Sequence, residues 1–113
     1  MATQKGRVMG KYLITYAGGS QPEGMTAEER QQAMDAWNAW YGGLGDAVVD
    51  HGSPTAASKA IAPDGGVSEG ESWLTGYSII TAESLDAAVE ACRAHPHLEA
   101  GGSVNVYETV ELG

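Results

Sequence analysis

Two of the three histidines lie on either side of a proline, within residues 94–102 (AHPHLEAGG). A histidine can hold a metal ion, transfer a proton near neutral pH, or stabilise the end of a helix. A zinc site needs about three or four convergent ligands, and the chain has no HxxxH or HExxH spacing to supply them. We therefore predict neither a metal nor any other cofactor at His95 and His97.

The helix-end interpretation explains every residue of this stretch. Pro96 disfavours helical geometry at His95 and has no amide hydrogen, so a helix is expected to end before it. A protonated histidine at that end would interact favourably with the helix dipole. Gly101 and Gly102 then allow the backbone to enter a following strand. His95 remains a candidate for proton transfer if it faces a cavity instead.

Two further residues are candidates for acid–base chemistry. His51 follows a short predicted strand and stands beside Asp50, whose carboxylate could orient the imidazole. The alternative is a solvent-facing loop residue. Glu108 shares strand alternation with Val104 and Val106, so it is expected to face an apolar surface and a cavity between subunits. The alternatives are a bulge that shifts the alternation or a position beyond the edge of the sheet.

Composition excludes several classes of function. The chain has 6 Lys and Arg against 15 Asp and Glu, a net charge of -9, so nucleic acid and anionic membrane surfaces are not expected partners. GxGxxG does not occur, and there is no P-loop lysine. Cys92 is the single cysteine, which excludes an internal disulfide and is typical of a reducing, cytoplasmic protein. Its place on a predicted apolar helix stripe indicates a buried, inert thiol.

Hydrophobic periodicity and capping signals divide the chain into alternating strands and helices. Thr26 and Glu29 form a predicted capping box, and Ser84 is the predicted cap of a second helix. Between the second and third main strands lies a long excursion over residues 51–72, with a hairpin turn at residues 64–66. The predicted elements are a strand over 11–17, a helix over 27–43, strands over 46–50 and 75–81, a helix from 85, and a strand over 103–112.

This order is a split βαβ pattern and predicts an α+β fold, a ferredoxin-like βαββαβ plait with an inserted hairpin. Residues 1–9 are expected to be a flexible leader, and residues 10–113 a single domain. Both helices cover one face of the sheet, yet apolar residues occur on both faces, so we predict a homodimer. Aromatic residues then become candidates for a ligand cavity, with core packing as the alternative: Tyr16, Trp40, Trp73 and Tyr77.

Several stretches together resemble the YCII-related family, and in particular its DGPF-motif subgroup. They are GKYLITYAGG at the start, LGDAVVDHGSP, PDGGVSEGESWLTGYSIITAESLDAAVEAC, and AHPHLEAGGSVNVYE near the end. The resemblance covers about nine-tenths of the chain. It implies a dimeric α+β barrel, mostly unassigned function, and an occasional enzyme acting on small aromatic compounds.

The departures from the family pattern concern chemistry. Some members carry a histidine on the first helix and an aspartate before the proline, which form a catalytic-looking pair. The corresponding positions here are Met34, which cannot transfer a proton, and His95. The DGPF string itself is Asp-Gly-Gly-Val at residues 64–67. The resemblance therefore implies the fold without that catalytic pair.

Two functions remain open on these grounds. The first is a homodimer that binds a small, aromatic molecule between its sheets, with His51, His95 and Glu108 available for acid–base chemistry. The second is a non-catalytic module that recruits another protein through a dimer face or a sheet edge. The residues favour the first function, with binding expected rather than catalysis. Whether the bound molecule is also converted is left open.

Overall fold

The structure, a computed structural model, describes residues 9–19, 24–71 and 73–111. It has mixed α+β architecture, which confirms the predicted fold class. The strands are β1 (Gly10–Gly18), β2 (Val48–Asp50), β3 (Lys59–Ile61), β4 (Val67–Glu69), β5 (Leu74–Ala82) and β6 (Gly102–Glu108). Four of them form one antiparallel sheet in the order β2-β5-β1-β6, and β3 pairs with β4 in a separate hairpin. This order is compatible with a ferredoxin-like fold.

The helices begin where the sequence places their caps. Helix α1 (Ala27–Leu44) starts with the full capping box, in which the Glu29 amide donates to Thr26 Oγ1 and the Thr26 amide donates to the Glu29 carboxylate. Helix α2 (Leu85–Cys92) starts at Ser84, whose hydroxyl accepts from the Ala87 amide. Both predicted N-caps are therefore confirmed.

Pro96 does not end a helix as expected. Helix α2 ends at Cys92, and Pro96 is the first residue of a short helix α3 (Pro96–Glu99). Proline fits this place because the first amide of a helix needs no intrahelical acceptor. His95 is the N-cap of α3, and its Nδ1 accepts from the amide of His97 at 3.0 Å. The histidine that we expected to meet a helix C-terminus therefore caps an N-terminus.

The core lies between the helices and one face of the sheet. Strand alternation places Tyr12, Ile14 and Tyr16 of β1 on this face, and each is at most 3% exposed. Trp40 and Cys92 complete the contact from the helices, and the Trp40 indole donates to the Ala91 carbonyl oxygen at 3.0 Å. Trp40 thus ties α1 to α2.

The other sheet face is not covered by a helix. Alternation places Leu13, Thr15 and Ala17 of β1 on this open sheet face, with Ile79 of β5 and Tyr107 of β6 beside them. Tyr107 is 46% exposed, whereas the Thr15 side chain at the centre is buried. Among the described residues, Thr15 Oγ1 is a buried side-chain atom without a hydrogen-bond partner.

The excursion contains the predicted hairpin. Strands β3 and β4 pair around the turn at residues 62–66, and every residue of both strands is exposed. The paired side chains of Ile61 and Val67 are 74% and 65% exposed. The hairpin thus extends away from the main sheet with an apolar pair at its end.

Two sequence-based boundaries differ or cannot be compared. The last strand ends at Glu108 rather than at 112, and Leu112 lies outside the described residues, as does the predicted leader apart from Met9. Within the described part of the chain, no helix is long and apolar enough to cross a membrane.

Candidate functional site

A cavity of about 580 Å³ lies on the helix-covered side of the sheet, between α1 and the loop that follows β2. We call it the aromatic cavity and call residues 51–55 the rim loop. The sequence predicted a cavity between two subunits, whereas this one is formed within one chain. It is lined by Tyr16, Gly18, Trp37, Asn38, Tyr41, His51, Gly52, Ser53, Pro54, Thr55, Thr75, Gly76, Tyr77 and His97.

Helix α1 supplies one wall of the aromatic cavity. Trp37 and Tyr41 are four residues apart, so both side chains lie on the same helix face. The Trp37 ring meets the Tyr16 ring edge-on at 4.9 Å between centroids and the His95 ring at 4.5 Å. Edge-to-face contacts of this kind are the favoured arrangement for aromatic side chains. They hold Trp37 in one orientation beside the cavity.

Backbone contacts fix the rim loop against β5. The Thr55 amide donates to the Thr75 carbonyl at 3.0 Å, and the Tyr77 amide donates to the Ser53 carbonyl at 3.3 Å. Gly52 crosses so close to β5 that a Cβ atom there would overlap the Tyr77 carbonyl oxygen. Its φ of 76° is also a conformation that glycine adopts most easily. The position of the rim loop therefore depends on Gly52.

A series of buried polar side chains connects the α2–α3 junction to this loop. His95 Nε2 is 3.1 Å from Tyr16 Oη, and Tyr16 Oη is 2.8 Å from Ser78 Oγ. Ser78 Oγ is in turn 2.7 Å from Tyr41 Oη, which donates to the His51 carbonyl at 2.9 Å. We call these groups the buried hydrogen-bond chain. It runs beneath the sheet-facing side of the aromatic cavity and ends on its rim.

Burial keeps the first two members of the buried hydrogen-bond chain, His95 and Tyr16, uncharged. His95 is fully buried, and the cost of desolvating its charged form, with a smaller effect of His97, lowers its pKa to about 4. Burial likewise raises the pKa of the Tyr16 hydroxyl, so the phenol stays protonated. At neutral pH both groups therefore act as neutral hydrogen-bonding groups.

The structure brings some of the predicted site residues together. Tyr16, Tyr77 and His51 all line the aromatic cavity, and the His51 ring packs on Tyr41 at 4.4 Å between centroids. Asp50 does not contact the imidazole through a hydrogen bond that the structure shows; its Oδ1 accepts from the Gly52 amide at 2.8 Å. His95 is not in the wall but touches it through Tyr16.

The remaining candidates lie elsewhere. Trp40 is buried between the helices, as the core-packing alternative predicted, and it does not line the cavity. Trp73 is 46% exposed at the base of the hairpin and is not a lining residue. Glu108 is exposed and is the last residue of β6. It pairs with Tyr12 near the start of β1 and does not line the cavity. Met34 is 59% exposed on α1, and Trp37 is the residue that contacts His95.

Four residues of the site were missed as functional residues. Trp37 and Tyr41 lie on an aromatic helix stripe, a pattern that indicates core packing against a sheet more often than a ligand site. Ser78 gave no signal at all, since a single serine inside an apolar strand has many roles. His97 was assigned to the helix end, yet it lines the cavity and its Nε2 bonds the Ala17 carbonyl at 2.9 Å. The pair of histidines, His95 and His97, just before the last strand is the sequence signal that points to this side of the site.

The described residues offer neither a reactive thiol nor a group of metal ligands. Cys92 is buried, and burial raises the pKa of its thiol to about 11, in agreement with the predicted inert thiol. Across the residues that the structure describes, no group of three His, Cys, Asp or Glu is placed to hold a metal ion.

No protein-family model matches the chain, and no curated protein is similar enough to match it.

Proposed function

We propose that the protein binds an uncharged aromatic small molecule in the aromatic cavity. The observation that carries this proposal is the lining: rings surround a volume of about 580 Å³, and none of the described lining residues is Lys, Arg, Asp or Glu. Small-molecule sites commonly have volumes of roughly 300–1,000 Å³ with apolar walls and a few polar groups. A charged ligand would lose its hydration there without gaining a counter-ion.

The geometry supports a binding protein rather than an enzyme. A general base needs a free lone pair, but Nδ1 of His95 accepts from the His97 amide and Nε2 bonds Tyr16. Tyr16 is held protonated by burial and cannot serve as a base near neutral pH. If the ligand is turned over, the groups that remain for proton transfer are His51 at the exposed rim and the ring of His97, which also lines the cavity.

Asn38 offers a way to fill the cavity without disturbing the core, because it is exposed on α1 and lines the cavity. We expect the wild-type protein to bind both methoxynaphthalene and naphthol, with saturable quenching of tryptophan fluorescence. Naphthoate should bind at least about tenfold more weakly than either of them. Asn38→Trp should abolish this binding. Ala39→Trp, at the neighbouring exposed position outside the lining, should leave it unchanged. Equal binding by both variants would place the ligand elsewhere and would refute the proposal.

A second copy of the chain covering the open sheet face is also part of the proposal. The buried Thr15 Oγ1 without a partner supports it, because an enclosed hydroxyl is normally hydrogen-bonded. The resemblance to the YCII-related family, which rests on the sequence stretches alone, implies the same arrangement. The single cysteine is free, which is the reason for expecting the protein in the cytoplasm, where thiols stay reduced.

Light scattering across a wide range of protein concentrations tests this dimer. We expect the mass of two chains for the wild type and of one chain for Tyr107→Glu, since a carboxylate buried in an apolar interface is strongly unfavourable. Met34→Glu makes the same kind of change on the outer side of α1 and should leave the dimer intact. A wild-type protein that stays monomeric would contradict the dimer and leave the aromatic cavity, which one chain forms, unaffected.

The alternative is a non-catalytic module that recruits another protein. One observation favours it: the β3–β4 hairpin presents Ile61 and Val67 to solvent, and an isolated two-stranded hairpin is only marginally stable. Two results together would favour this alternative over ligand binding. Naphthol, methoxynaphthalene and naphthoate would all fail to bind, and Ile61→Lys would abolish binding of a partner protein.

A further inference from the structure

We propose that Ser78 is a specificity-determining residue of the aromatic cavity, because it accepts the hydroxyl hydrogen of Tyr16 in the direction that His95 gives the buried hydrogen-bond chain. In that direction the hydroxyl hydrogens of Tyr16 and Tyr41 are committed to protein acceptors. Both hydroxyls can then offer a ligand only a lone pair. The cavity is therefore selective for aromatic molecules that bring an O–H or N–H donor. This inference rests on the proposed function and adds the ligand chemistry that the site would select.

The direction of the chain starts from the tautomer of His95. An amide can only donate, so the His97 amide at 3.0 Å requires a lone pair on His95 Nδ1. The ring is neutral because it is fully buried, so its one hydrogen is on Nε2. Nε2 then donates to Tyr16 Oη at 3.1 Å. The phenol of Tyr16 must direct its own hydrogen elsewhere.

Ser78 is the acceptor for that hydrogen. Its hydroxyl is fully buried and lies 2.8 Å from Tyr16 Oη, 2.7 Å from Tyr41 Oη and 3.1 Å from the His51 carbonyl oxygen. Tyr41 donates to the same carbonyl oxygen at 2.9 Å. With Tyr16 donating to Ser78, and Ser78 donating to Tyr41, each hydroxyl accepts once and donates once. Chains of this kind strengthen in a low-dielectric interior.

Three other polar side chains that line the cavity follow the same pattern. Thr55 donates to the Leu74 carbonyl at 2.7 Å and Thr75 to the Tyr16 carbonyl at 3.0 Å. His97 donates from Nε2 to the Ala17 carbonyl at 2.9 Å, and in the neutral form of the ring Nδ1 then carries a lone pair. Their hydrogens are thus committed to the protein, as those of the two tyrosines are.

The other side-chain donors of the described lining have no hydrogen-bond partner that the structure shows. Asn38, His51 and Ser53 are exposed at the rim, and Tyr77 on β5 is half-buried. The indole N–H of half-buried Trp37 has no partner that the structure shows, so it could meet an oxygen of the ligand. A ligand hydroxyl can donate to the committed side chains and accept from Trp37 at once. An ether of the same shape can only accept, which leaves the lone pairs unmatched.

Naphthol and methoxynaphthalene test this selectivity, because they differ mainly in the hydroxyl hydrogen. We expect the wild-type protein to bind naphthol at least about tenfold more tightly. In Ser78→Ala the hydrogen of Tyr16 loses its acceptor and becomes free for a ligand oxygen. The affinity ratio should then fall to roughly threefold or less. A merely structural loss would weaken both ligands equally and leave the ratio unchanged.

Thr15→Val is the matched control, because it also removes a buried hydroxyl, but one on the open sheet face that has no partner. It should leave the affinity ratio at the wild-type value. A wild-type ratio near one, or an unchanged ratio in Ser78→Ala, would overturn the inference while leaving the proposed function standing. Binding of neither ligand would overturn both. If Ser78→Ala does not fold, ¹⁵N shifts of His95 in the wild type decide: Nδ1 must be unprotonated and Nε2 protonated.

Discussion

Replacing Gly52 with alanine is expected to cost about 3 kcal/mol or more of unfolding free energy and to abolish ligand binding. The new Cβ would overlap the Tyr77 carbonyl oxygen, which belongs to the backbone of β5 and cannot rotate away. The residue must also keep a φ of 76°, which a residue with a Cβ disfavours. The rim loop would have to leave β5, and one wall of the aromatic cavity would move with it.

Gly65→Ala is the control for the cost of the backbone conformation alone. Gly65 has a φ of 90° in the turn between β3 and β4, and a Cβ there would meet nothing within 4 Å. We expect this variant to lose only about 1–2 kcal/mol and to keep its ligand affinity. Chemical denaturation measures both stabilities, and tryptophan fluorescence measures both affinities. Equal losses for the two variants would show that the close approach of the rim loop to β5 is not real.

Acidification from about pH 7 to about pH 5 is expected to remove roughly 2 kcal/mol of unfolding free energy through His95 alone. The pKa of His95 is lowered to about 4 in the folded protein from an ordinary value of 6.5. Between these values the unfolded chain binds a proton that the folded protein does not bind. The contribution of His95 is therefore complete above pH 6.5, falls as the pH drops to about 4, and is constant below that.

His95→Gln isolates this effect from the many carboxylates, which titrate alike in both proteins. The stability difference between wild type and variant should shrink by roughly 2 kcal/mol over the same pH interval. Direct NMR titration of the His95 ring in the wild type is the second measurement if the variant does not fold. A midpoint near 6.5 would mean that the ring is solvated, contrary to its complete burial.

Local signals in the sequence were sufficient for most of the fold. Thr26, Glu29 and Ser84 cap their helices through contacts within three residues, so their role can be read without tertiary information. The hairpin turn near Gly65 is equally local. Pro96 shows the limit of such signals, because proline is compatible both with the end of one helix and with the first turn of another. In the structure His95 caps α3, and its ring contacts Tyr16 and Trp37, which are distant in sequence and give no local signal.

The aromatic cavity could be predicted only in part, because it depends on contacts between distant segments. Tyr16 and His51 were candidates, but nothing local shows that the rim loop crosses β5 beside α1. Ser78 joins Tyr16 and Tyr41 across 62 and 37 residues of sequence. Glu108 was singled out from strand alternation, which gives the face of a sheet but not the distance from a cavity. Contacts between segments that are distant in sequence therefore decide which candidates line the cavity, and local patterns do not show these contacts.

Isotope-filtered NOE spectroscopy of the protein with naphthol is the most direct test of the central claim, that the ligand lies between α1 and the rim loop. The account predicts contacts from the naphthalene protons to Trp37, Tyr41 and Thr55. Contacts to Ile79 and Tyr107 on the open sheet face instead, or no contacts at saturating ligand, would contradict it.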